Sequence, residues 1–270
     1  TEFIKLKKQK NFVFFEELEK LINYHDSPIS TISYYVHSKI SQSAKNSGFK
    51  VILSGTGADE IFTGYYDHSI LFLNEIKKTK FYNHELESWK KNILPHIRNN
   101  DLKNYNLFSK NSNFRDHIYF SKYYEKNFMK NFVLPKFFET KYSKNLLKNR
   151  MLNELFHESV PAILCEDDLN SMQCSIENRS PFLSKNLVSY CLSIKNHNYI
   201  KNGISKYILR EAVKGILNNK VRMDTKKKGF NSNIKSVTNL DANTFKEYLQ
   251  KSKELGEFVD LKKISKIKFD

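Results

Sequence analysis

The stretch KVILSGTGADEIF joins a short apolar run to two closely spaced glycines and then to the start of a helix. The run near residues 50–54 predicts a buried strand of a parallel sheet, because such strands are almost continuously apolar and short. Residues 54–57 then form a turn between this strand and a helix that begins near Ala58. Ligands of open α/β sheets bind at such junctions, beyond the carboxyl end of a strand. The stretch therefore predicts an α/β domain with a ligand site at this turn.

The turn and the helix start have the groups that an anion and a metal require. Free backbone N–H groups and the helix dipole favour an anion at the turn, and Gly55 and Gly57 let the backbone approach it. Asp59 and Glu60 point about 100° apart on a helix, so they do not serve one small ligand in the same way. Mg²⁺ takes one or two carboxylates together with phosphate oxygens. We expect one carboxylate to bind a metal and the other to cap or pack the helix; taken alone, the residues also allow purely structural roles.

The net charge of +16 on this 270-residue chain raises the question of a nucleic-acid partner. The positive charge is almost entirely lysine, whereas arginine is the residue that reads bases and phosphates in a bidentate manner. We therefore interpret the lysines as a solvated face and expect no nucleic acid among the partners. A hydrophobic content of 40% and an aromatic content of 14% are those of a folded globular chain.

The cysteines and the apolar runs limit where the protein is expected to act. Cys165, Cys174 and Cys191 are odd in number and show no Cys-x-x-Cys spacing. We therefore expect neither a disulfide framework nor a zinc site, and we expect a reducing, cytoplasmic location. No apolar run approaches the roughly 18 to 20 residues of a spanning helix, so we expect no membrane partner. Because the chain opens with Thr rather than Met, we take it as part of a longer protein.

Most of the remaining chain is predicted to be helical. The segment 83–149 predicts short helices and loops that cover the site or add a packing layer, and the tail after residue 240 predicts a surface helix or two. The segment VRMDTKKKGF predicts a basic loop, which would supply positive charge for phosphates. Helical periodicity predicts helices over residues 13–24, 30–46 and 206–217, and over 151–194 with breaks at Pro161 and Pro181.

Four segments resemble, in the same order, the synthetase domain of the asparagine synthetase family. SGTGADEIFTGYYDH is similar to its Ser-Gly-x-Gly-x-Asp-Glu-x-Phe-x-Gly-Tyr element, and EDDLNSMQCSIENRSPFLSKNLV to its Glu-Asp-x-x-x-Ser-Met…Ile-Glu-x-Arg-x-Pro-Phe-Leu segment. KYILREA resembles its Lys-x-x-Leu-Arg helix, and KKKGF its Lys-x-Gly-Phe loop. Four collinear matches over residues 54–230 are far more specific than any one of them.

The resemblance implies a fold and a reaction. It implies a partial nucleotide α-hydrolase-like α/β domain, mostly helical in this chain, that extends over residues 1–270 as the C-terminal part of an asparagine synthetase-like domain. Its ligands would be ATP and Mg²⁺. The family adenylates a carboxylate, releases pyrophosphate, and lets ammonia displace AMP to give an amide. The expected partners are thus a small-molecule carboxylate acceptor and ammonia, and a homodimer is the expected assembly.

The resemblance also implies roles for single residues. Lys227 would neutralise the transition state, and Asp59 would be a Mg²⁺ ligand. Glu166 and Asp167 would lie in the acceptor pocket and assist proton transfer. For Glu177 and Arg179 the expectation comes instead from their spacing: two residues apart and just before Pro181, they need not pair with each other and are expected to hold their segment in place. The nucleotide would contact Ser54, Gly55, Thr56 and Gly57.

The sequence departs from the family in two respects. The family's Ser-Gly-Gly-x-Asp-Ser loop and its glutaminase domain with a leading cysteine occur nowhere in the chain. We therefore expect this chain alone to bind ATP poorly and to be inactive, with ammonia made from glutamine by a glutaminase domain outside it. Thr56 stands where asparagine synthetases commonly have Glu, and a hydroxyl does not act as a general base near neutral pH. The alternatives to aspartate amidation are a sugar-carboxylate amidotransferase of surface polysaccharide biosynthesis and a non-catalytic scaffold.

Overall fold

The structure is a computed structural model that describes residues 10–115, 117, 118, 128–130, 138–227, 229, 232–238, 242–264 and 266. Two residues of the predicted basic loop, Lys228 and Phe230, lie outside the described residues, as do parts of the segment 83–149. The chain divides into two compact units. One is formed by residues 1–43, 115–137 and 230–270, and the other by residues 44–114 and 138–229.

The described elements are mainly helices, with two short strands. Short 3-10 helices span Leu94–His96, Asp101–Lys103, Pro181–Leu183 and Asn196–Asn198. In chain order the other elements are α1 (Asn11–His25), α2 (Ile32–Asn46), β1 (Val51–Leu53), α3 (Ala58–Ile61), α4 (Tyr66–Glu75), α5 (Tyr82–Asn92), α6 (Leu107–Lys110), α7 (Leu146–Phe156), α8 (Ser159–Met172), β2 (Glu177–Arg179), α9 (Lys185–Ser193), α10 (Tyr207–Ala212), α11 (Asn219–Arg222), α12 (Ile234–Val237), α13 (Ala242–Lys251), α14 (Lys253–Phe258) and α15 (Leu261–Ile264).

The first unit is helical and has its own small core. Phe14 and Leu21 of α1 pack with Tyr35 and Val36 of α2, and α12 adds apolar contacts. The predicted helices over residues 13–24 and 30–46 are thus confirmed as α1 and α2. The predicted helical tail is confirmed for its described residues, where α13 to α15 are short.

The second unit contains the sheet, in which β1 and β2 pair in parallel. Their register places Val51 opposite Glu177 and Leu53 opposite Arg179. The predicted parallel strand near residues 50–54 is therefore confirmed, but its predicted burial is wrong. The side chain of Ile52 packs on Ala44, Cys174 and Ile176, whereas Val51 is 40% and Leu53 is 70% exposed. Alternation of side chains places these two residues on the opposite face, which the described residues leave open.

The main core of the second unit lies between α4, α5 and α7. Four consecutive α4 residues are buried in it, together with Leu86 and Trp89 of α5 and Leu147 and Met151 of α7. The Nε1 atom of Trp89 donates a hydrogen bond to Ser69 Oγ at 3.0 Å, which satisfies its one polar atom. Residues 83–114 of the predicted segment therefore form a packing layer of short helices and loops on this core.

Two helix predictions differ from the structure. The break expected at Pro161 instead falls at His157 and Glu158. Pro161 lies in the first turn of α8, where backbone N–H groups have no partner within the helix, so a residue that lacks this group is tolerated. The helix predicted over residues 206–217 is α10 and ends at Ala212. Ile216 is consequently 84% exposed and does not belong to a buried face. None of the described helices combines the length and the apolar character needed to cross a membrane.

Candidate functional site

The turn predicted to bind a ligand lies between β1 and α3. Gly57 has a φ of +91°, a backbone conformation that favours glycine, and a Cβ atom there would lie 2.7 Å from Leu183 Cγ and displace that side chain. At Gly55 an added Cβ would have no atom within 4 Å. Gly57 thus shapes the turn, whereas Gly55 borders open space.

Asp59 is the centre of a charged cluster on the wall of a cavity of about 650 Å³. Its Oδ1 atom pairs with the ammonium group of Lys206, and its Oδ2 atom lies 3.3 Å from Nζ of Lys227. Nζ of Lys227 also donates to the carbonyl oxygen of Gly64 at 3.2 Å and lies 3.7 Å from the centroid of the Tyr65 ring. The structure therefore brings together the predicted metal ligand Asp59 and the predicted catalytic Lys227.

The charges around Asp59 determine its ionisation. Burial raises the pKa of this carboxyl, but the ammonium groups of Lys227 and Lys206 and their hydrogen bonds outweigh burial, so its pKa lies below the ordinary value. Asp59 is an anion at neutral pH as a result. One carboxylate between two ammonium groups leaves the cluster with a net positive charge, which suits a polyphosphate.

Lys206 was not predicted as a site residue. It adopts φ +58° and ψ +28° immediately before α10, a left-handed conformation that few non-glycine residues take and that often marks functional sites. Its side chain lines the same cavity as Lys227. The sequence marks Lys206 as the first residue of the Lys-x-x-Leu-Arg motif. The motif does not show the contact with Asp59, because that contact depends on tertiary structure.

Glu60, the neighbour of Asp59, is buried and has a different environment. It accepts hydrogen bonds from Tyr65 Oη at 2.6 Å and from Ser159 Oγ at 3.1 Å. Burial and the charge of Glu60 raise the pKa of Tyr65, which stays a neutral donor. The predicted division between the two carboxylates is therefore confirmed for Glu60, which packs inside the protein.

Three other predicted residues, Ser54, Thr56 and Asp167, form a second group of hydrogen bonds at the turn, which we call the turn group. Ser54 Oγ donates to Thr56 Oγ1 at 2.8 Å, and Thr56 Oγ1 donates to Asp167 Oδ2 at 3.1 Å. Ser54 Oγ also lies 3.3 Å from Ser180 Oγ. These side chains form a relay of hydroxyl groups that ends on the buried carboxylate of Asp167.

Glu166 differs from Asp167, although the two are adjacent on α8. Glu166 is half-buried, and a step of one residue turns a helical side chain by about 100°, so it does not share the environment of Asp167. Neither residue lines the cavity at Asp59. Asp167 thus belongs to the turn group. Both predicted acceptor residues, Glu166 and Asp167, lie apart from the Asp59 cluster.

A buried ion-pair network lies between α4 and α7. His68 Nε2 is 2.8 Å from Glu154 Oε2, and Arg150 Nε is 3.3 Å from Asp67 Oδ2. Asp67, His68 and Glu154 also have the donor atoms that a metal would need. The guanidinium group of Arg150, however, already supplies positive charge to both carboxylates, with its Nε atom 3.9 Å from Glu154 Oε1. We interpret the network as structural.

Comparison with known proteins identifies a family. A family model described as Asparagine synthase matches residues 10–267. No curated protein and no solved structure gave a match. The matched range contains the turn at residues 54–57, Asp59, the Asp167 relay and both lysines of the cluster. Because the match extends over far more than half of the chain, this protein belongs to the asparagine synthase family.

Proposed function

We propose that this chain supplies the pyrophosphate-binding side of an ATP-dependent ligase that converts a carboxylate into an amide. The family performs ATP-dependent amidation, and the finer assignment rests on one observation. The carboxylate of Asp59 lies between the ammonium groups of Lys206 and Lys227 on the wall of a cavity. A leaving pyrophosphate with its metal ion requires this combination of charges.

The residues at the cavity fit Mg²⁺. Asp59 would hold the ion, because Mg²⁺ is commonly bound by one or two carboxylates together with phosphate oxygens and water. A bound ion would neutralise charge on the phosphate oxygens. The two ammonium groups that pair with Asp59 would then turn to the phosphate oxygens, which carry more negative charge than one carboxylate.

The proposed reaction has two steps. In the first, an oxygen of the acceptor carboxylate bonds to the α-phosphorus of ATP, and the bond from that phosphorus to the bridging oxygen of the β-phosphate breaks. Lys206 and Lys227 stabilise the negative charge that develops on the departing pyrophosphate. In the second, ammonia attacks the acyl carbon, and AMP leaves with the electrons of the carbon–oxygen bond.

The turn group is suited to the second step. The nitrogen that has attacked must lose a proton, and Asp167 would accept it through the hydroxyl of Thr56, which already donates to that carboxylate at 3.1 Å. Glu166 would lie at the edge of the acceptor pocket. Ser54 and the open space at Gly55 would border the nucleotide.

One observation favours an acceptor carboxylate other than that of aspartate. Thr56 places a hydroxyl group, bonded to Asp167, where the resemblance places a glutamate in asparagine synthetases. A neutral side chain here suits a different acceptor, and our second candidate is a carboxylate on a sugar of a surface polysaccharide. A non-catalytic scaffold is disfavoured because Asp59, Lys227 and Asp167 all have the contacts that catalysis would use.

Binding of pyrophosphate to the 270-residue chain tests the proposal without requiring turnover. Calorimetry should show binding that Mg²⁺ strengthens, and Lys227→Met should raise the Kd about tenfold, as expected for the loss of one charge-assisted hydrogen bond. Lys110→Met removes an exposed lysine at the end of α6 and should leave the Kd unchanged. Absent binding, or equal effects of both variants, would contradict the proposal. With a protein that also contains the Ser-Gly-Gly-x-Asp-Ser loop, aspartate-dependent pyrophosphate release then decides between aspartate and another acceptor.

A further inference from the structure

We propose that Arg210 is a positioning residue that sets the separation between the ammonium groups of Lys206 and Lys227. The inference rests on the proposed function, since it concerns the same pyrophosphate site. It comes from the hydrogen bonds of one guanidinium group, which reach backbone on both segments that present a lysine to Asp59.

The guanidinium group of Arg210 donates to three backbone carbonyl oxygens. Its Nε atom donates to Ser205 at 2.8 Å, and its Nη2 atom donates to Asp224 at 3.0 Å. Its Nη1 atom donates to Arg222. Burial lowers the pKa of Arg210, and the negative charge of Asp224 only partly offsets this effect. All three nitrogen atoms of the group are thus bound to the protein itself.

The two anchored segments are short and lead directly to the lysines. Ser205 precedes Lys206, and Asp224 lies three residues before Lys227. The loop after Asp224 is tightened further, because the backbone N–H group of Lys226 donates to Asp224 Oδ1 at 3.0 Å. A shift of the guanidinium group would therefore displace one or both ammonium groups relative to Asp59.

A second arginine closes the arrangement from the other side. Nη1 of Arg222 donates to the carbonyl oxygen of Arg210 at 3.1 Å and to Glu211 Oε1 at 3.1 Å. Each arginine therefore binds the backbone of the other, which connects α10 and α11. The left-handed conformation of Lys206 lies at one end of this connection, and it needs surrounding contacts to hold it.

Lysine is not a conservative replacement at this position. A guanidinium group presents five N–H donors in a rigid plane, whereas an ammonium group is a compact charge on a flexible stem. Arg210→Lys keeps the charge, but a single ammonium group does not reach all three carbonyl oxygens that the three guanidinium nitrogen atoms bind. Arg98→Lys is the matched control, because Arg98 is exposed and does not line the cavity.

The experiment combines pyrophosphate binding with a mutant cycle. Arg210→Lys should raise the Kd for Mg²⁺-pyrophosphate about tenfold, whereas Arg98→Lys should leave it unchanged. In a chain that already carries Lys206→Met and Lys227→Met, the same Arg210→Lys change should alter the Kd by less than about twofold, because the groups through which it acts are absent. An unchanged Kd for Arg210→Lys in the chain that retains both lysines overturns the proposal. An equal penalty in both backgrounds also overturns it, since Arg210 would then contact the ligand or support the fold in general.

A measurement without ligand separates this inference from the proposed function. Lys227 Nζ lies 3.7 Å from the centroid of the Tyr65 ring, so the ring current should shift the ε-methylene protons of Lys227 upfield in the NMR spectrum. Arg210→Lys should abolish that shift, and Arg98→Lys should retain it. If the original chain binds no pyrophosphate, the proposed function fails while this shift still decides the positioning role. If Arg210→Lys does not fold, Arg210→Gln is measured in the same way, and a retained shift in the folded variant overturns the proposal.

Discussion

Nζ of Lys227 lies 3.3 Å from Oδ2 of Asp59, although 168 residues separate the two in the sequence. The pair joins the first residues of α3 to a loop near the end of the second unit. Asp59 cannot be replaced by a neighbour, because Glu60 is turned into the protein and bound there by Tyr65 and Ser159. The proposed metal ligand and the proposed phosphate-binding cation thus meet at one wall of the cavity.

Asp59→Asn should separate metal binding from anion binding. The amide no longer carries the charge that attracts Mg²⁺, so the strengthening of pyrophosphate binding by Mg²⁺ should be lost. Binding without Mg²⁺ should be retained or become tighter, because Lys206 and Lys227 no longer pair with an anion. Titration calorimetry with and without Mg²⁺ measures both effects, and Asp101→Asn, at an exposed position of a 3-10 helix, is the control. A variant that keeps the full Mg²⁺ effect would show that Asp59 is not the metal ligand.

Gly64→Ala should disturb the same site without changing any charge. An added Cβ at Gly64 would collide with the carboxylate of Asp59 and approach its Cβ to 2.7 Å. We expect a loss of about 1–3 kcal/mol in the free energy of unfolding, as for overpacked positions, and weaker binding of Mg²⁺-pyrophosphate. Urea denaturation and calorimetry on one preparation test this. Unchanged binding would mean that the position of the Asp59 carboxylate does not matter for the ligand.

Gly55→Ala should leave the stability nearly unchanged but weaken nucleotide binding. Nothing lies within 4 Å of an added Cβ, and the residue does not need a left-handed conformation, so stability should change by less than about 0.5 kcal/mol. A nucleotide that approaches this part of the turn would meet the new methyl group. In a protein that contains the full ATP site, we therefore expect a higher Kd for ATP at an unchanged melting temperature. If ATP affinity is unchanged, the nucleotide does not approach the turn at Gly55.

The sequence predicted the turn and its two carboxylates because local rules determine them. A short apolar run, two glycines and an acidic helix start are enough to place Asp59 beside a turn, and the Lys-x-Gly-Phe motif singled out Lys227. The partners that complete the site depend on tertiary structure. Lys206 needs a left-handed backbone conformation, and Arg210 acts through carbonyl oxygens that carry no sequence signal. The exposure of Val51 and Leu53 was missed for the same reason, since burial depends on neighbours that a run of apolar letters does not specify.

The buried pair of His68 and Glu154 should make stability depend on pH in a predictable direction. Burial raises the pKa of Glu154 from 4.5 to about 7, and the negative charge of Glu154 raises the pKa of His68 although burial opposes it. The Glu154 shift means that the folded chain holds more protons than the unfolded chain between about pH 4.5 and 7, and the His68 shift adds proton uptake above the ordinary histidine pKa of 6.5. Stability is therefore highest at the acidic end of that window and is lost as pH rises through the folded pKa values.

Urea denaturation between pH 5.5 and 7.5 tests this expectation. The free energy of unfolding should fall as the pH rises, with a slope of up to about 1.4 kcal/mol per pH unit for each proton that folding takes up. Glu154→Gln keeps the size of the side chain but removes its titration, so it should flatten the slope. Glu87→Gln changes an exposed glutamate of α5 and should leave the slope as it is. A slope that is positive, or that Glu154→Gln does not alter, would show that the coupling between α4 and α7 does not involve proton uptake by this pair.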